Sequence, residues 1–392
     1  MRTLHLRDFG PIHKGDVTLG DLTVLVGPQA TGKSLLAQLI KLIDDAALVR
    51  STLQQYGFVW SRQDPLGDLL SLYFGGGMNG VVSAKTRIVV DGQRLNPLSL
   101  LDGQGGSGSP DAETVALIPA QRVLVLQDGW PKPFMAYSPG DPFCMRDFSE
   151  ALRRLLELGL GDGDAVFPQP RRLKSELRRL IDRGIYTGGT LHLDTEGMRK
   201  RVVLRPRGSE TKLPFNVWSA GQREFTPLLI GMYRLLPGAS QQRKGQVQRV
   251  IIEEPEMGLH PEAIVSFCLL VLELLWREYQ VVISTHSPAI LDVVWAVREL
   301  STLPREDGIR ALGSIFGVGP SGPMGEVLRA ALGKELRVYH FDRSAGPVVI
   351  HDISTLNPGD DDPRISGWGG LTGFSGRVAV AIGEAISAAG SR

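Results

Sequence analysis

An eight-residue phosphate loop near the beginning of the chain constrains the fold more than any other stretch. It has the pattern G-x-x-x-x-G-K-[ST] and consists of Gly27, Pro28, Gln29, Ala30, Thr31, Gly32, Lys33 and Ser34. The apolar run 22–26 before it predicts a strand, and residues 35–40 after it predict a helix. Glycines allow backbone N–H groups to turn toward a phosphate, and the helix N-terminus adds partial positive charge. The alternative, a Gly-rich turn without a ligand, is disfavoured by the two flanks.

Two side chains of this loop have expected roles toward a nucleoside triphosphate. The Lys33 ammonium would reach the β- and γ-phosphates, and the Ser34 hydroxyl would bind Mg²⁺. The sequence therefore predicts binding of a nucleoside triphosphate with its magnesium ion, and it leaves open what the chain does with them.

The composition is ordinary for a globular protein and excludes several classes. Of the 392 residues, 42% are hydrophobic and 22% charged, and 43 Lys and Arg balance 42 Asp and Glu, so no global basic field indicates nucleic acid. The distant Cys144 and Cys268 predict thiols rather than a disulfide. The most apolar stretches, near 264–275 and 281–293, are too short to span a bilayer. We expect a cytoplasmic protein without a membrane partner.

Strands and helices alternate over the second half of the chain. Residues 248–254 and 280–284 predict strands, and residues 261–277 and 288–298 predict helices. Such alternation builds a mostly parallel sheet with helices on both faces. Residues 1–26 predict strands around short turns, hence an N-terminal antiparallel β portion. The expected fold class is α/β.

The expected domain organisation is one head at 1–300 followed by a small α/β C-terminal extension at 301–392. Within the head, a long helical stretch is predicted at 34–57. The region at about 58–114, which contains a predicted strand at 86–90, and the region at about 147–186 are expected to be helical or inserted.

Two adjacent carboxylates end a predicted strand. Glu253 and Glu254 follow the apolar residues 250–252. A buried strand of this kind beside a phosphate loop delivers the first carboxylate to the Mg²⁺ shell, and the second can orient and deprotonate the attacking water. By itself the pattern also fits a surface cap, but its combination with the phosphate loop favours chemistry.

Two further polar residues follow predicted strands. His286 comes after the strand 281–283, at the carboxyl end where ligands bind in such sheets, so it is a candidate donor to the γ-phosphate or to its water. Gln121 comes soon after the strand 115–118 and is a candidate contact for Mg²⁺ or the water. The alternatives are a structural histidine and an exposed loop glutamine.

A second anion-binding helix N-terminus is predicted at Ser219-Ala220-Gly221-Gln222. A chain that already has a phosphate loop does not need a second one for the same nucleotide. The simplest interpretation is that this helix covers the γ-phosphate held by another subunit.

The order of these motifs resembles that of ABC/SMC-type ATPase heads, and most closely that of compact prokaryotic AAA-named ATPases related to the OLD (overcoming lysogenisation defect) family. The resemblance covers roughly residues 1–300. It implies a P-loop NTPase fold of ABC type, ATP hydrolysis to ADP and phosphate, and a head-to-tail homodimer around two ATP. It leaves open a higher oligomer built from such dimers. The roles that it implies are a Walker A loop at 27–34, a Q-loop residue Gln121, signature residues Ser219, Gly221 and Gln222 that act in trans, a Walker B metal carboxylate Glu253, a catalytic base Glu254 and a switch histidine His286.

Three positions depart from the usual pattern of this group. Ala220 replaces the first of two signature glycines, and Glu253 stands where most ABC proteins have aspartate. His260 occupies the position of the D-loop aspartate, as it does in OLD-like relatives. These departures leave ATP binding intact as an expectation and leave the turnover rate open.

The biological role has two main alternatives. In the first, the dimer regulates or drives a separate effector protein, as such ATPases commonly do in prokaryotic antiviral defence or toxin–antitoxin-like systems. In the second, it clamps DNA in repair or DNA metabolism, and a predicted basic helix at 171–183 with Arg171, Arg172, Arg178 and Arg179 would contact the DNA.

An OLD-like nuclease is a minor alternative. OLD nucleases continue into a Toprim domain. Such a domain needs an apolar strand that ends in glutamate, but residues 348–352 lack that glutamate. The acidic residues 360–362 lie in a Gly- and Pro-containing loop without a strand before them.

Overall fold

The computed structural model describes residues 2–100, 110, 112–160, 163–196, 199–236, 245–344 and 346–390. The strands are β1 (Thr3–Phe9), β2 (Ile12–Thr18), β3 (Leu22–Val26), β4 (Arg87–Val90), β5 (Gln93–Leu95), β6 (Val115–Ile118), β7 (Leu126–Gln127), β8 (Trp130–Pro131), β9 (Ala165–Phe167), β10 (Thr190–Asp194), β11 (Arg201–Arg205), β12 (Arg249–Glu253), β13 (Gln280–Ser284), β14 (Leu336–Asp342) and β15 (Val348–Asp352). The α-helices are α1 (Lys33–Asp44), α2 (Ala46–Gln55), α3 (Pro65–Phe74), α4 (Phe143–Leu158), α5 (Ser175–Ile181), α6 (Ala220–Leu235), α7 (Pro261–Trp276), α8 (Pro288–Leu300), α9 (Arg305–Phe316), α10 (Gly322–Ala331), α11 (Pro363–Ser366) and α12 (Gly373–Gly390).

A ten-stranded sheet in the order β5-β4-β1-β2-β15-β14-β3-β13-β12-β6 forms the centre of the molecule. The five strands from β14 to β6 run parallel to one another. In their register Leu25 pairs with Ser284 on one side and Tyr339 on the other, and Glu253 also pairs with Ser284. Because parallel strands end at the same edge, the segments after β3, β6, β12 and β13 meet there.

Apolar side chains cover both faces of this sheet. Side chains alternate along a strand, so Val24 and Val26 of β3 join the core that includes Phe225 of α6 and Leu270 of α7. Leu25 points to the opposite face and joins the core formed with α1, α2 and α3. This layered arrangement, with antiparallel strands at the N-terminus, confirms the predicted α/β class.

The helical stretch predicted at 34–57 is divided into α1 and α2 at Asp45. The Asp45 carboxylate is fully buried and accepts hydrogen bonds from the backbone N–H groups of Thr114 (3.0 Å) and Val115 (3.1 Å). It also pairs with Lys41 at 3.3 Å. The predicted helical stretch is therefore present as two helices, which this tie to the start of β6 separates.

The two regions predicted to be helical or inserted each contain both helices and strands. The predicted strand at 86–90 is present as β4, which pairs with β1, and β5 extends the same edge of the sheet. The second region contains α4 and α5, but β9 lies between them and joins β10 and β11 in a small sheet. Both regions therefore add strands to a sheet as well as helices to a face.

The chain after residue 300 contributes to the centre of the main sheet. β14 lies between β3 and β15, and it pairs in parallel with the strand that precedes the phosphate loop. The sheet is therefore not divided at residue 300, where the sequence suggested an extension. No helix in the described ranges combines the length and apolar character needed to cross a lipid bilayer.

Candidate functional site

The phosphate loop connects β3 to α1 and packs tightly against its neighbours. Gly27, Ala30 and Gly32 have φ angles of +139°, +59° and +96°, a region that favours glycine. A Cβ on Gly27 would lie 2.6 Å from the carbonyl oxygen of Phe341 in β14. A Cβ on Gly32 would lie 3.0 Å from Ile12 in β2. The loop therefore requires glycine at both positions, for conformation and for space.

Lys33 lies inside the loop. Its Nζ donates hydrogen bonds to the carbonyl oxygens of Gly27 (2.8 Å) and Pro28 (2.7 Å). Burial lowers the pKa of Lys33 to about 8, although the carboxylates of Glu254 and Glu256 act in the opposite direction. At neutral pH most of the population is therefore cationic, as binding of a phosphate requires.

Glu253 is a buried carboxylate with an unused oxygen. Its Oε2 accepts a hydrogen bond from the Ala120 N–H at 3.3 Å, and its Oε1 has no hydrogen-bond partner within the described part of the chain. Burial raises the pKa of Glu253 to about 7, while contacts with Ala120, Ser34 and Gln38 lower it. A free carboxylate oxygen near the Ser34 hydroxyl fits Mg²⁺, which prefers oxygen ligands. These two residues therefore match the expected metal position.

Glu254 and His286 face each other at the ends of neighbouring strands. Glu254 has a φ of +42°, and its N–H donates to the carbonyl oxygen of Ser284 at 2.9 Å. Its Oε1 lies 3.7 Å from His286 Nε2, an atom without a hydrogen-bond partner among the residues described. Burial and the nearby Lys33 cation lower the pKa of His286. Both effects favour the neutral imidazole over the cation, although the carboxylates of Glu254 and Glu256 act in the opposite direction.

Glu256 fixes the segment that carries His286. Its Oε1 accepts hydrogen bonds from Thr285 Oγ1 at 2.8 Å and from the His286 N–H at 2.5 Å. No local pattern in the sequence gives Glu256 a role, because its partners follow another strand, β13. The feature of the sequence that could have indicated a role for Glu256 is its position as a third acidic residue soon after Glu253 and Glu254.

A pocket of about 380 Å³ unites the phosphate loop with the two facing residues. Its lining consists of Pro11, Gln29, Ala30, Thr31, Gly32, Lys33, Ser34, Leu35, Glu254 and His286. Among the residues that the structure describes, seven predicted site residues do not contribute to this lining: Gly27, Pro28, Gln121, Ser219, Gly221, Gln222 and Glu253. The structure thus brings together one part of the predicted site and leaves another part outside it.

The predicted signature forms the N-terminus of α6, outside the pocket. Ser219 Oγ accepts from the Gln222 N–H at 3.3 Å, and the Ser219 N–H donates to Gln222 Oε1 at 3.1 Å, which is a capping box. Ser219 is exposed. A Cβ on Gly221 would lie 3.2 Å from the carbonyl oxygen of Gly258, in the turn after the strand-end glutamates. The first turn of α6 is therefore well formed and accessible.

The segment after β6 places Ala120 and Arg122, rather than Gln121, against the strand-end glutamates. Ala120 donates to Glu253, whereas Gln121 is exposed and has no side-chain hydrogen bond within the described residues. Arg122 is fully buried and donates to the carbonyl oxygens of Glu253 and Glu254. Sequence reasoning missed Arg122, for which a cation between two apolar runs was the only signal.

The predicted basic helix is shorter than expected, and several of its cations are used within the fold. α5 begins only at Ser175. Arg172 Nη1 donates to the carbonyl oxygen of Tyr233 at 2.7 Å, and the buried Lys174 pairs with Glu273 at 2.5 Å. Arg178 donates to backbone carbonyls close to it in the chain. These contacts stabilise the packing around α5 and reduce the charge available to a ligand.

One family model matches part of the chain. Residues 138–292 match the family model described as "AAA domain, putative AbiEii toxin, Type IV TA system". This span is about two fifths of the chain and contains α6, the strand-end glutamates and His286. The matched span agrees with the resemblance to AAA-named ATPases over these residues, and the phosphate loop lies outside it. A search of curated proteins found no match.

Solved structures with a similar chain path include two SMC heads and an ABC cassette. The SMC head domain from Thermotoga maritima has 11% identity and a TM-score of 0.37, over 90% of this chain and 99% of that one. The Smc head domain from Pyrococcus yayanosii has 10% identity and a TM-score of 0.43, over 90% and 97%. A bacterial ABC transporter cassette, solved as a dimer, has 11% identity and a TM-score of 0.32, over 73% and 89%. Similarity at this level adds no argument about function.

Proposed function

We propose that this chain hydrolyses ATP at a site completed by a second copy of the chain, and that the ATP-bound dimer regulates a separate effector protein. One observation carries the proposal. The pocket contains the phosphate loop, Glu254 and His286, while the α6 N-terminus at Ser219 is exposed outside it. A helix N-terminus favours an anion, and in a head-to-tail pair the exposed one would meet the phosphate held by the partner.

The residues of the pocket, together with Glu253 and Gln121 outside its lining, have separate roles in hydrolysis. The loop backbone and Lys33 bind the phosphates. Ser34 and Glu253, with Gln121 as a further candidate, would hold Mg²⁺, which when bound would neutralise charge on the phosphates. Glu254 accepts a proton from water while the water oxygen bonds to the γ-phosphorus, and the bond from that phosphorus to the departing ADP oxygen breaks.

His286 has a part in the same step. Its neutral imidazole lies beside Glu254, and its Nε2 is unused within the described residues. A neutral imidazole can donate or accept one hydrogen bond at this atom, depending on its tautomer. We assign His286 to holding the attacking water or the γ-phosphate in line with Glu254.

The effector role rests on the matched family rather than on the pocket. The family description names a toxin and a type IV toxin–antitoxin system. ATP-dependent closure of two heads changes the surface offered to a third protein, which is a general way to regulate a partner. We therefore place the chain in a prokaryotic defence or toxin–antitoxin-like system, with an effector encoded nearby as its partner.

The Glu254→Gln variant tests the proposal directly. The amide keeps the size of the side chain but cannot accept the proton, so with ATP and Mg²⁺ the protein should accumulate as a dimer. Multi-angle light scattering should show twice the monomer mass with ATP and the monomer mass with ADP. A variant that binds ATP and remains monomeric would contradict the proposal.

Two controls identify the cause of any dimer. Glu278→Gln changes a surface glutamate that also has a positive φ, +64°, and it should behave as wild type. Adding Ser219→Arg to Glu254→Gln should prevent the doubling of mass while the affinity for a fluorescent ATP analogue stays within about twofold, because Ser219 lies outside the pocket.

A further inference from the structure

The fully buried Arg122 joins three parts of the molecule through its guanidinium group. Its Nη1 donates to the carbonyl oxygen of Glu253 at 3.0 Å, and its Nη2 donates to those of Glu254 (3.1 Å) and Pro255 (3.3 Å). Its Nε donates to the carbonyl oxygen of Glu224 at 3.1 Å. All four bonds are to backbone, so the side chain fixes the path of the chain at each point.

These bonds span the residue with the strained backbone. Glu254 has a φ of +42°, a left-handed conformation that is strained for a residue other than glycine unless its surroundings hold it there. Arg122 binds the carbonyls of this residue and of both its chain neighbours. Its planar fork of N–H donors suits this task, whereas a lysine ammonium is a point charge without a fixed plane. Arg122 therefore holds the turn that directs Glu254 toward His286.

The same side chain is attached to the helix that begins with the signature. Glu224 lies in the second turn of α6, and its carboxylate is 3.7 Å from Arg122 Nη2 in addition to the bond from Nε. α6 also packs closely against the turn that follows the strand-end glutamates, because a Cβ on Gly258 in this turn would lie 3.2 Å from Glu224 Cγ. A shift of α6 therefore moves the carbonyl that Arg122 binds and, through Arg122, the backbone of Glu254.

We infer that Arg122 is a positioning residue that couples the α6 N-terminus to the catalytic glutamate. When the partner's nucleotide engages Ser219, the position of α6 is fixed, and Arg122 transmits that position to Glu254 in the same chain. Hydrolysis at one nucleotide thus depends on occupation of the other. This inference rests on the proposed function, since it requires the ATP-bound pair.

The Arg122→Lys variant separates positioning from binding. It keeps a buried cation but removes the fork, so kcat for ATP hydrolysis should fall at least tenfold. The dissociation constant for a fluorescent ATP analogue should stay within about twofold, and light scattering should still show the ATP-dependent dimer. A loss of fold alone would not produce this split between kcat and binding.

Arg146→Lys is the matched control. Arg146 is also almost fully buried, and its Nη2 donates to a backbone carbonyl, that of Leu72, at 2.7 Å. It lies over the rings of Phe58 and Phe134, away from the pocket lining. Its replacement should lower the melting temperature and leave kcat within about twofold of wild type.

A second variant decides the question if Arg122→Lys does not fold. Glu224→Gln removes the charge opposite the guanidinium and keeps the size of the side chain, so kcat should fall severalfold at unchanged nucleotide affinity. Wild-type kcat in a folded Arg122→Lys protein, or in Glu224→Gln when the first variant fails to fold, overturns the inference. A wild-type protein that neither hydrolyses ATP nor dimerises in its presence overturns the proposed function instead.

Discussion

The Glu256 carboxylate holds the backbone of His286, since the His286 N–H donates a hydrogen bond to Glu256 Oε1 at 2.5 Å. The same oxygen accepts from Thr285 Oγ1. Glu256, which follows β12, thus fixes the backbone position of His286, which follows β13. The Glu256 side chain supports the main chain, whereas the His286 side chain faces Glu254. His286 is free to face Glu254 because its main chain is already fixed.

Replacement of Glu256 by glutamine should lower kcat without loss of the fold. The amide retains one acceptor but loses the charge, and a hydrogen bond to a charged group contributes about 1.5–3 kcal/mol against 0.5–1.5 for a neutral one. We expect kcat to fall about tenfold and nucleotide affinity to stay within twofold, in steady-state assays and fluorescence titrations. The exposed Glu262→Gln is the control and should match wild type. Full activity of Glu256→Gln would show that His286 does not need this support.

Lys33→Ala should nearly abolish nucleotide binding. The side chain supplies the cation inside the loop, and its loss removes a charge-assisted contact with the phosphates worth about 1.5–3 kcal/mol, which is roughly 10- to 150-fold in affinity. Isothermal titration with an ATP analogue measures the change, and the exposed Lys85→Ala serves as its control. Unchanged affinity in Lys33→Ala would contradict the assignment of the whole pocket.

Glu253→Gln should make the nucleotide-free protein more stable at pH 8 and inactive. The pKa of Glu253 rises from 4.5 to about 7 in the folded state, so the folded protein binds the proton more tightly than the unfolded chain does. Its contribution to stability is therefore most favourable below pH 4.5 and is lost as the pH rises to about 7. Glutamine avoids this cost, which is about 3 kcal/mol above pH 7 for a pKa raised from 4.5 to about 7.

Melting temperatures at pH 5 and pH 8, without nucleotide or metal, measure the effect. Glu253→Gln should melt a few degrees above wild type at pH 8, and the difference between the two proteins should be much smaller at pH 5. An equal difference at both pH values would show that titration of Glu253 does not cause it. Activity with ATP and Mg²⁺ should be lost because the neutral amide is a poorer ligand for the metal.

The sequence predicts those parts of the site that depend on local patterns. The phosphate loop, the strand before it and the glutamates after β12 are each continuous in the chain, and their periodicity or glycine spacing is visible in the sequence. The shared edge of the parallel strands then predicts that Lys33, Glu254 and His286 meet, as they do in the pocket. Arg122 and Glu256 are different, because their partners lie on other segments and no local pattern indicates which carbonyls or N–H groups they bind.

The same limit applies to the fold. Residues 336–342 have the apolar pattern of a strand, but nothing in that pattern indicates that β14 pairs with β3 rather than forming a separate unit. The break at Asp45 is also decided by distant partners, namely the N–H groups at the start of β6. Local propensity favours continuing the helix there, and tertiary hydrogen bonds override it.

The place of β14 has a consequence for how the protein is made. A ribosome releases the phosphate loop early, but the strand that flanks it, and the Phe341 carbonyl against which Gly27 packs, emerge only after α10. Domains generally fold as units during synthesis, and pairing of strands far apart in the chain is slow. Nascent chains that end before β14 thus carry a phosphate loop with one side uncovered. Competence to bind nucleotide should therefore appear late in translation, when most of the chain already exists.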